Sequence, residues 1–222
     1  MSERYPGGFI SKNAPTVSTS GAQGVWTMEQ QAAYQKAGTW PFGGPFNYIE
    51  DVFSTYLYTG NNTSQTITNG IDLSGKGGLT WLKCRNIGST YNLLFDTARQ
   101  QEYGLSSDLT NGQINWTGYG INQWNNNGFS VQGNSQVSNY ASGNYVSWTF
   151  RKQAKFFDVV TYTGDGNLGR TVSHNLGSTP GCIIVKNLSQ AASWVVYHRS
   201  AGGDLFLNTT GAAGAGYNRI TS

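Results

Sequence analysis

The 222-residue sequence predicts an all-β protein: antiparallel, jelly-roll-like β-sandwich modules in tandem, preceded by an extended N-terminal arm with one short helix. Three observations predict it. From Asp51 onward, short apolar runs with the two-residue alternation of half-buried strands follow one another between Gly/Asn/Ser turn clusters. The composition is neutral-polar: Gly 30, Thr 22, Ser 21 and Asn 21 make up about 42% of the chain, and charged residues only 11%, against roughly a quarter in an ordinary soluble domain. The chain also resembles itself at a spacing slightly above 100 residues. With Phe 10, Tyr 13 and Trp 7, large rings supply the core that sparse Leu and Ile would leave unfilled, and a chain so aromatic and so weakly charged is not a disordered one.

Residues 1–50 read as an arm. A Gly/Pro/Ser/Thr-rich stretch, Tyr5 to Gly24, leads into Thr27 and Gln30, a capping-box pair ahead of a short helix over Met28–Ala37. Gly38 ends it and Pro41 prevents resumption. A helix of about ten residues does not stand alone in water and must dock on something. Phe9, Ile10, Trp26, Trp40, Phe42 and Phe46 are the apolar groups of this arm, and the glycines and prolines between them deny it a compact core, so these six are the candidates for docking on another surface.

Strands are expected at Val52–Tyr58, Gln65–Thr68, Leu79–Arg85, Tyr91–Asp96, Glu102–Leu105, Gln113–Thr117, Phe129–Gln132 and Tyr145–Phe150, a two-sheet sandwich over residues 51–153. A second, incomplete sandwich is expected over 154–222. Leu57-Tyr58-Thr59-Gly60 is matched by Thr161-Tyr162-Thr163-Gly164, Thr66-Ile67-Thr68-Asn69 by Thr171-Val172-Ser173-His174, and Trp81-Leu82-Lys83 by Ile184-Val185-Lys186, at offsets of 104, 105 and 103. The second copy lacks counterparts of the last strands of the first. Unpaired edges are avoided in folded proteins, so either the polypeptide continues beyond Ser222 or another subunit supplies the missing strands, the first being favoured.

Charge and motifs exclude several classes. The net charge of +3 is scattered singly, without the clustered footprint of nucleic-acid binding. No run reaches the roughly 18 apolar residues of a membrane span, and the N-terminus lacks a secretory h-region, so no membrane insertion is expected. Cys84 and Cys182, in apolar strand-like runs, read as buried free thiols. The G-x-S-x-G, phosphate-loop, H-E-x-x-H and zinc-spaced Cys patterns are missing, so no enzyme, no catalytic residue, no metal site and no cofactor is expected. Asp96 and Glu102 are the nearest approach to a carboxylate pair, but turn or surface roles suit them better. His174 reads as a turn residue and His198 as a sheet-edge residue. Thr163-Gly164-Asp165-Gly166-Asn167 has calcium-loop composition without the downstream acid, and reads as a hairpin turn. The segment from Asn115-Trp116 to Trp124-Asn125-Asn126-Asn127 places rings beside amides: Trp116, Trp124 and Asn125 are candidate glycan contacts, with a loop plugging the sandwich end as the preferred reading.

Several runs are familiar. YTGNNTSQTITNGIDLSGKGGLTWLKCRN, LLFDTAR, YVSWTFRK, KFFDVVTYTG, HNLGSTPGCIIVKN and WVVYHR resemble a concanavalin A-like (laminin-G-like) domain widespread in tailed bacteriophages of marine bacteria and cyanobacteria. The opening PGGFISKNAPT with GVWTMEQQAAYQKAGTWP is similar to the start of many phage appendage proteins. The resemblance implies a virion structural protein made in the host cytoplasm, the N-terminal attachment portion of a tail fibre or of a capsid-attached fibre or decoration protein. Its implied partners are other virion proteins, a tail adaptor or nozzle or the capsid, and further copies of itself, as a trimer if a fibre. A host-surface glycan is the alternative partner.

Overall fold

A computed structural model describes residues 17–18, 21–22, 27–37 and 48–214. By compactness the chain divides into residues 1–49 and 50–222, so the segment 154–222 belongs to the same unit as the sandwich before it. The six arm residues Phe9, Ile10, Trp26, Trp40, Phe42 and Phe46, and the helix terminator Gly38, lie outside the described residues.

In the first unit β1 (Val17–Ser18) pairs antiparallel with β2 (Gly21–Ala22), and α1 spans Met28–Lys36. The expected capping box is made in both directions: Gln30 N donates to Thr27 Oγ1 at 3.1 Å, and Thr27 N donates to Gln30 Oε1 at 2.9 Å. Met28, Glu29, Gln30, Ala32, Ala33 and Lys36 are all exposed.

The second unit is an antiparallel β-sandwich. Its strands are β3 (Phe53–Thr59), β4 (Gln65–Thr68), β5 (Gly78–Cys84), β6 (Leu93–Asp96), β7 (Tyr103–Ser106), β8 (Ile114–Asn115), β9 (Ile121–Asn125), β10 (Gly128–Val131) and β11 (Asn144–Arg151). A six-stranded sheet runs β3-β11-β5-β6-β7-β8 and a three-stranded sheet β4-β10-β9. Alternation along β5 shows how the sequence selects the faces: Gly78, Thr80, Leu82 and Cys84 are buried, while Leu79, Trp81 and Lys83 between them are half-buried on the other side. The core lies between the sheets, with Ile67, Ile121, Phe129 and Val131 from one meeting Leu82, Leu93 and Phe95 from the other, sealed by Ile71, Leu73 and Val137. One end of the sandwich is closed by polar groups that satisfy one another. Tyr145, stacked on Tyr58 with ring centroids 5.1 Å apart, accepts from Tyr140 N at 2.9 Å and donates toward the carbonyls of Ser135 and Gln136. Asn139, fully buried, accepts from Asn61 N and Gln65 Nε2 and donates to Gly133 O and Thr63 O, so its amide capacity is used within the fold.

All eight strands expected between 51 and 153 are present, though Tyr91–Asp96 shortens to Leu93–Asp96 and Gln113–Thr117 to Ile114–Asn115. The stretch read as a loop around Trp124 is instead β9, paired with β10 across Asn126-Asn127. Asn and Gln are poor strand formers, but burial of Ile121 opposite Val131 and the pairing partner override that preference.

Beyond Arg151 the chain crosses to the outer side of the six-stranded sheet. There β12 (Cys182–Val185), β13 (Val195–His198) and β14 (Leu205–Phe206) form a three-stranded antiparallel sheet in the order β12-β13-β14. Trp194, 4% exposed, packs with Leu94 and Leu105, against Leu79, Trp81 and Leu188. Its indole N–H is shared between Ser106 O at 2.9 Å and Leu109 O at 3.1 Å. Gln113 N donates to Leu188 O and Ala192 N to Thr110 O, both at 2.8 Å. Three expectations change here. Thr161–Gly164 and Thr171–His174, the counterparts of β3 and β4, are not strands, and only the third match, near Ile184, falls on strands in both copies. Asp165-Gly166 is consequently a local turn without flanking strands, in which Asp165 accepts from Asn167 N at 3.0 Å and pairs with Arg170 at 2.9 Å. Cys84 is buried as expected, but Cys182 is exposed, because it sits on an edge strand whose alternate residues face solvent.

Candidate functional site

Trp116 and Trp124 lie partly buried against the sandwich core, and their indole N–H groups are buried without a hydrogen-bond partner among the described residues. Asn125 lies in β9, where its Nδ2 donates to Ser130 Oγ at 3.1 Å and its carbonyl accepts from Leu73 N and Ser74 N. The three glycan candidates therefore face structural neighbours, Asn125 and Trp124 within a strand and not in the loop expected for them. Tyr91 lies at 6.2 Å centroid distance from Trp116.

The carboxylates are likewise occupied. Asp96 is 5% exposed, accepts from Ala98 N and Arg99 N, and pairs with the Arg99 guanidinium at 2.7 Å. Glu102 sits at φ 68° and accepts from Thr117 Oγ1, Gly118 N and Gln132 Nε2. His174 Nδ1 accepts from Leu176 N and His198 Nδ1 from Ser200 N, each within its own turn. Burial acts to raise the Asp158 pKa, but the Asn175 N–H and the Lys152 ammonium, 2.9 Å away, outweigh it and hold that carboxyl below its ordinary value. Among the described residues no three or more His, Cys, Asp or Glu gather as metal ligands would.

One feature that stands open among the described residues was not singled out by the sequence. On the outer face of the six-stranded sheet, Trp81 of β5 and Trp148 of β11 are directly opposite in register, with ring centroids 6.0 Å apart and planes inclined at 69°. Together with Phe150, Leu207, Asn92, Ser107 and Asp108 they line an open groove of about 540 Å³. The signal was present in the runs LTWLKC and YVSWTF, where both alternating sets carry apolar residues, as in strands covered on both faces. Asp108 Oδ1 accepts from Asn92 N at 3.1 Å, and Ser107 Oγ donates to Asn92 O at 3.3 Å, which ties the polar groups together.

The profile of a family described as "Domain of unknown function (DUF7483)" matches residues 49–221, the sandwich together with its outer layer. No curated protein and no solved structure matches the chain.

Proposed function

We propose, from the premise that the chain belongs to the DUF7483 family, that it is a non-enzymatic structural protein of a tailed-phage virion. In this reading it is the attachment portion of a tail fibre, in which the arm docks on the particle and the β-sandwich is carried outward. The observation that carries the reading is α1: a nine-residue helix with its capping box made and Met28 86% exposed. A helix this short is marginal in water, so a surface to lie on is what gives it a reason to be encoded. The sandwich suits a load-bearing part. Its cohesion rests on buried rings and ladder hydrogen bonds, which salt does not screen, and a charged fraction of 11% leaves little to screen. The phage resemblance of the sequence motifs supports the same reading. The partner is another virion protein, at the tail or the capsid, and the location is the particle.

Deleting residues 1–46 and complementing a phage that lacks the gene tests the proposal. The truncated protein is expected to be made and to fold, yet to be missing from purified particles. Incorporation at the level of the full chain would overturn the anchoring role.

A further inference from the structure

The outer face of the six-stranded sheet is apolar where a face turned to water would be polar. Leu57 of β3, 57% exposed, Trp148 and Phe150 of β11, Trp81 of β5 and Leu94 of β6 lie along it. The C-terminal layer covers the Leu94 and Leu105 end through Trp194, and the groove lined by Trp81 and Trp148 is left open between that layer and the sheet. We propose that this groove binds a neutral saccharide, with a pyranose ring seated in the Trp81–Trp148 corner and its hydroxyls held by the Asn92 amide and the Asp108 carboxylate.

Chemistry selects this occupant. The groove lies over β11 and β5, interior strands whose backbone groups are committed to ladders on both sides, so an extended peptide finds no free edge to pair with. Recognition has to come from side chains. Two indole rings at an angle present apolar faces to the C–H faces of a sugar ring, and the groups around them supply both halves of a hydroxyl's bonding. The Asn92 side chain makes no hydrogen bond to a described residue, so its donor and acceptor are free, and Asp108 spends Oδ1 on Asn92 N while Oδ2 stays available. The volume falls within the range of about 300–1,000 Å³ typical of small-ligand sites. Asp108 is the charged residue of the lining. Its carboxylate accepts from hydroxyls but repels a uronate or sialate carboxyl, which makes the ligand neutral. The proposal stands whether or not the chain is a virion part, since it is read on the purified protein.

The test is saturation-transfer NMR and a printed glycan array with the full chain. The probes are methyl glucosides, galactosides and mannosides with their oligomers, against glucuronate and sialylated counterparts. Saturable binding of a neutral series is expected, with its acidic counterpart at least about tenfold weaker. Trp148→Ala should weaken binding about tenfold or more, as loss of an aromatic anchor does, and Asn92→Ala severalfold. The Asn92 side chain makes no hydrogen bond to a described residue, so that variant is expected to keep its unfolding transition and decides the matter should Trp148→Ala fail to fold. No binding by any neutral saccharide, preference for acidic ones, or undiminished binding by Asn92→Ala would overturn the proposal.

Discussion

Replacing Trp194 by alanine should detach the outer layer from the sandwich, and the structure sets how much that costs. The ring is 4% exposed, enclosed by Leu94, Leu105, Leu79, Trp81 and Leu188, and truncating a buried Trp to Ala costs about 3–5 kcal/mol. The two carbonyls that share its N–H, Ser106 O and Leu109 O, lose that donor at the same time. A protein of this size shifts its midpoint by about 2–4 °C per kcal/mol, so the thermal transition should fall by roughly 10 °C. Trp194→Phe keeps most of the apolar contact and removes only the donor, a loss of about 1 kcal/mol. Urea unfolding followed by circular dichroism gives both numbers, and limited proteolysis locates the effect: the alanine variant should be cut first between residues 154 and 193. Were the alanine variant to lose less than about 1 kcal/mol, the indole would not be what holds the layer down; were the phenylalanine variant to lose as much as alanine, the apolar contact would not be.

Three further outcomes follow from particular contacts. Gly128 sits at φ 152°, and a Cβ there would lie 1.9 Å from Ile67 O, so Gly128→Ala should cost more than about 2 kcal/mol in urea unfolding; a variant as stable as the parent would show that the β9–β10 hairpin can shift. Burial, with Cys84 adding to it and the Tyr140 N–H opposing, pushes the Tyr145 hydroxyl up to about 12, above the unfolded value of about 10. The folded state keeps its proton longer, so this contribution is full below about pH 10, declines as pH rises toward 12 and is lost above it; comparing the parent with Tyr145→Phe across that window should show the difference closing, and a constant difference would refute it. Cys182, exposed and with its thiol pushed up by partial burial of the sulfur, should react slowly with a disulfide reagent in the native protein, and Cys84 only after unfolding; native labelling of Cys84 would contradict the packing of β5.

How much was legible in the sequence depended on whether a segment's partner was legible too. Gln65–Thr68 is found with its bounds as read, because Thr and Ile alternate there between turn residues and the strand pairs with a hydrophobic run of the same kind, Phe129 to Val131. Helix α1 was legible from its cap alone, since the Thr27–Gln30 box is a local signal. Ile121–Asn125 was not: Asn122, Gln123 and Asn125 carry no strand preference, and only the register with β10 makes the segment extended. Thr161–Gly164 shows the converse. It matches the sequence of β3, but β3 is a strand because β11 lies beside it over seven paired residues, and no strand lies beside its later counterpart among the described residues. Trp116 and Trp124 drew notice because they sit beside amides, while Trp81 and Trp148, about 70 residues apart in sequence, become neighbours only through the β5–β11 ladder.

The outer layer and the groove are one construction. A sheet that is apolar on both faces requires two covers, and the three-stranded sheet supplies one while residues 154–214 supply the other only in part. The turn that fastens the second cover is the turn that edges the groove: Ser106 O and Leu109 O hold the Trp194 indole, and the two residues between them, Ser107 and Asp108, line the groove. Leu207 completes the lining from the cover itself, one residue past β14, and its backbone N–H donates to Trp194 O at 3.2 Å. Loss of the Trp194 anchor therefore frees both polar side chains of that turn and the Leu207 side of the groove together. A saccharide bound there would in turn tie the cover to the sheet, so that ligand should raise the unfolding midpoint of the Trp194→Phe variant as well as that of the parent.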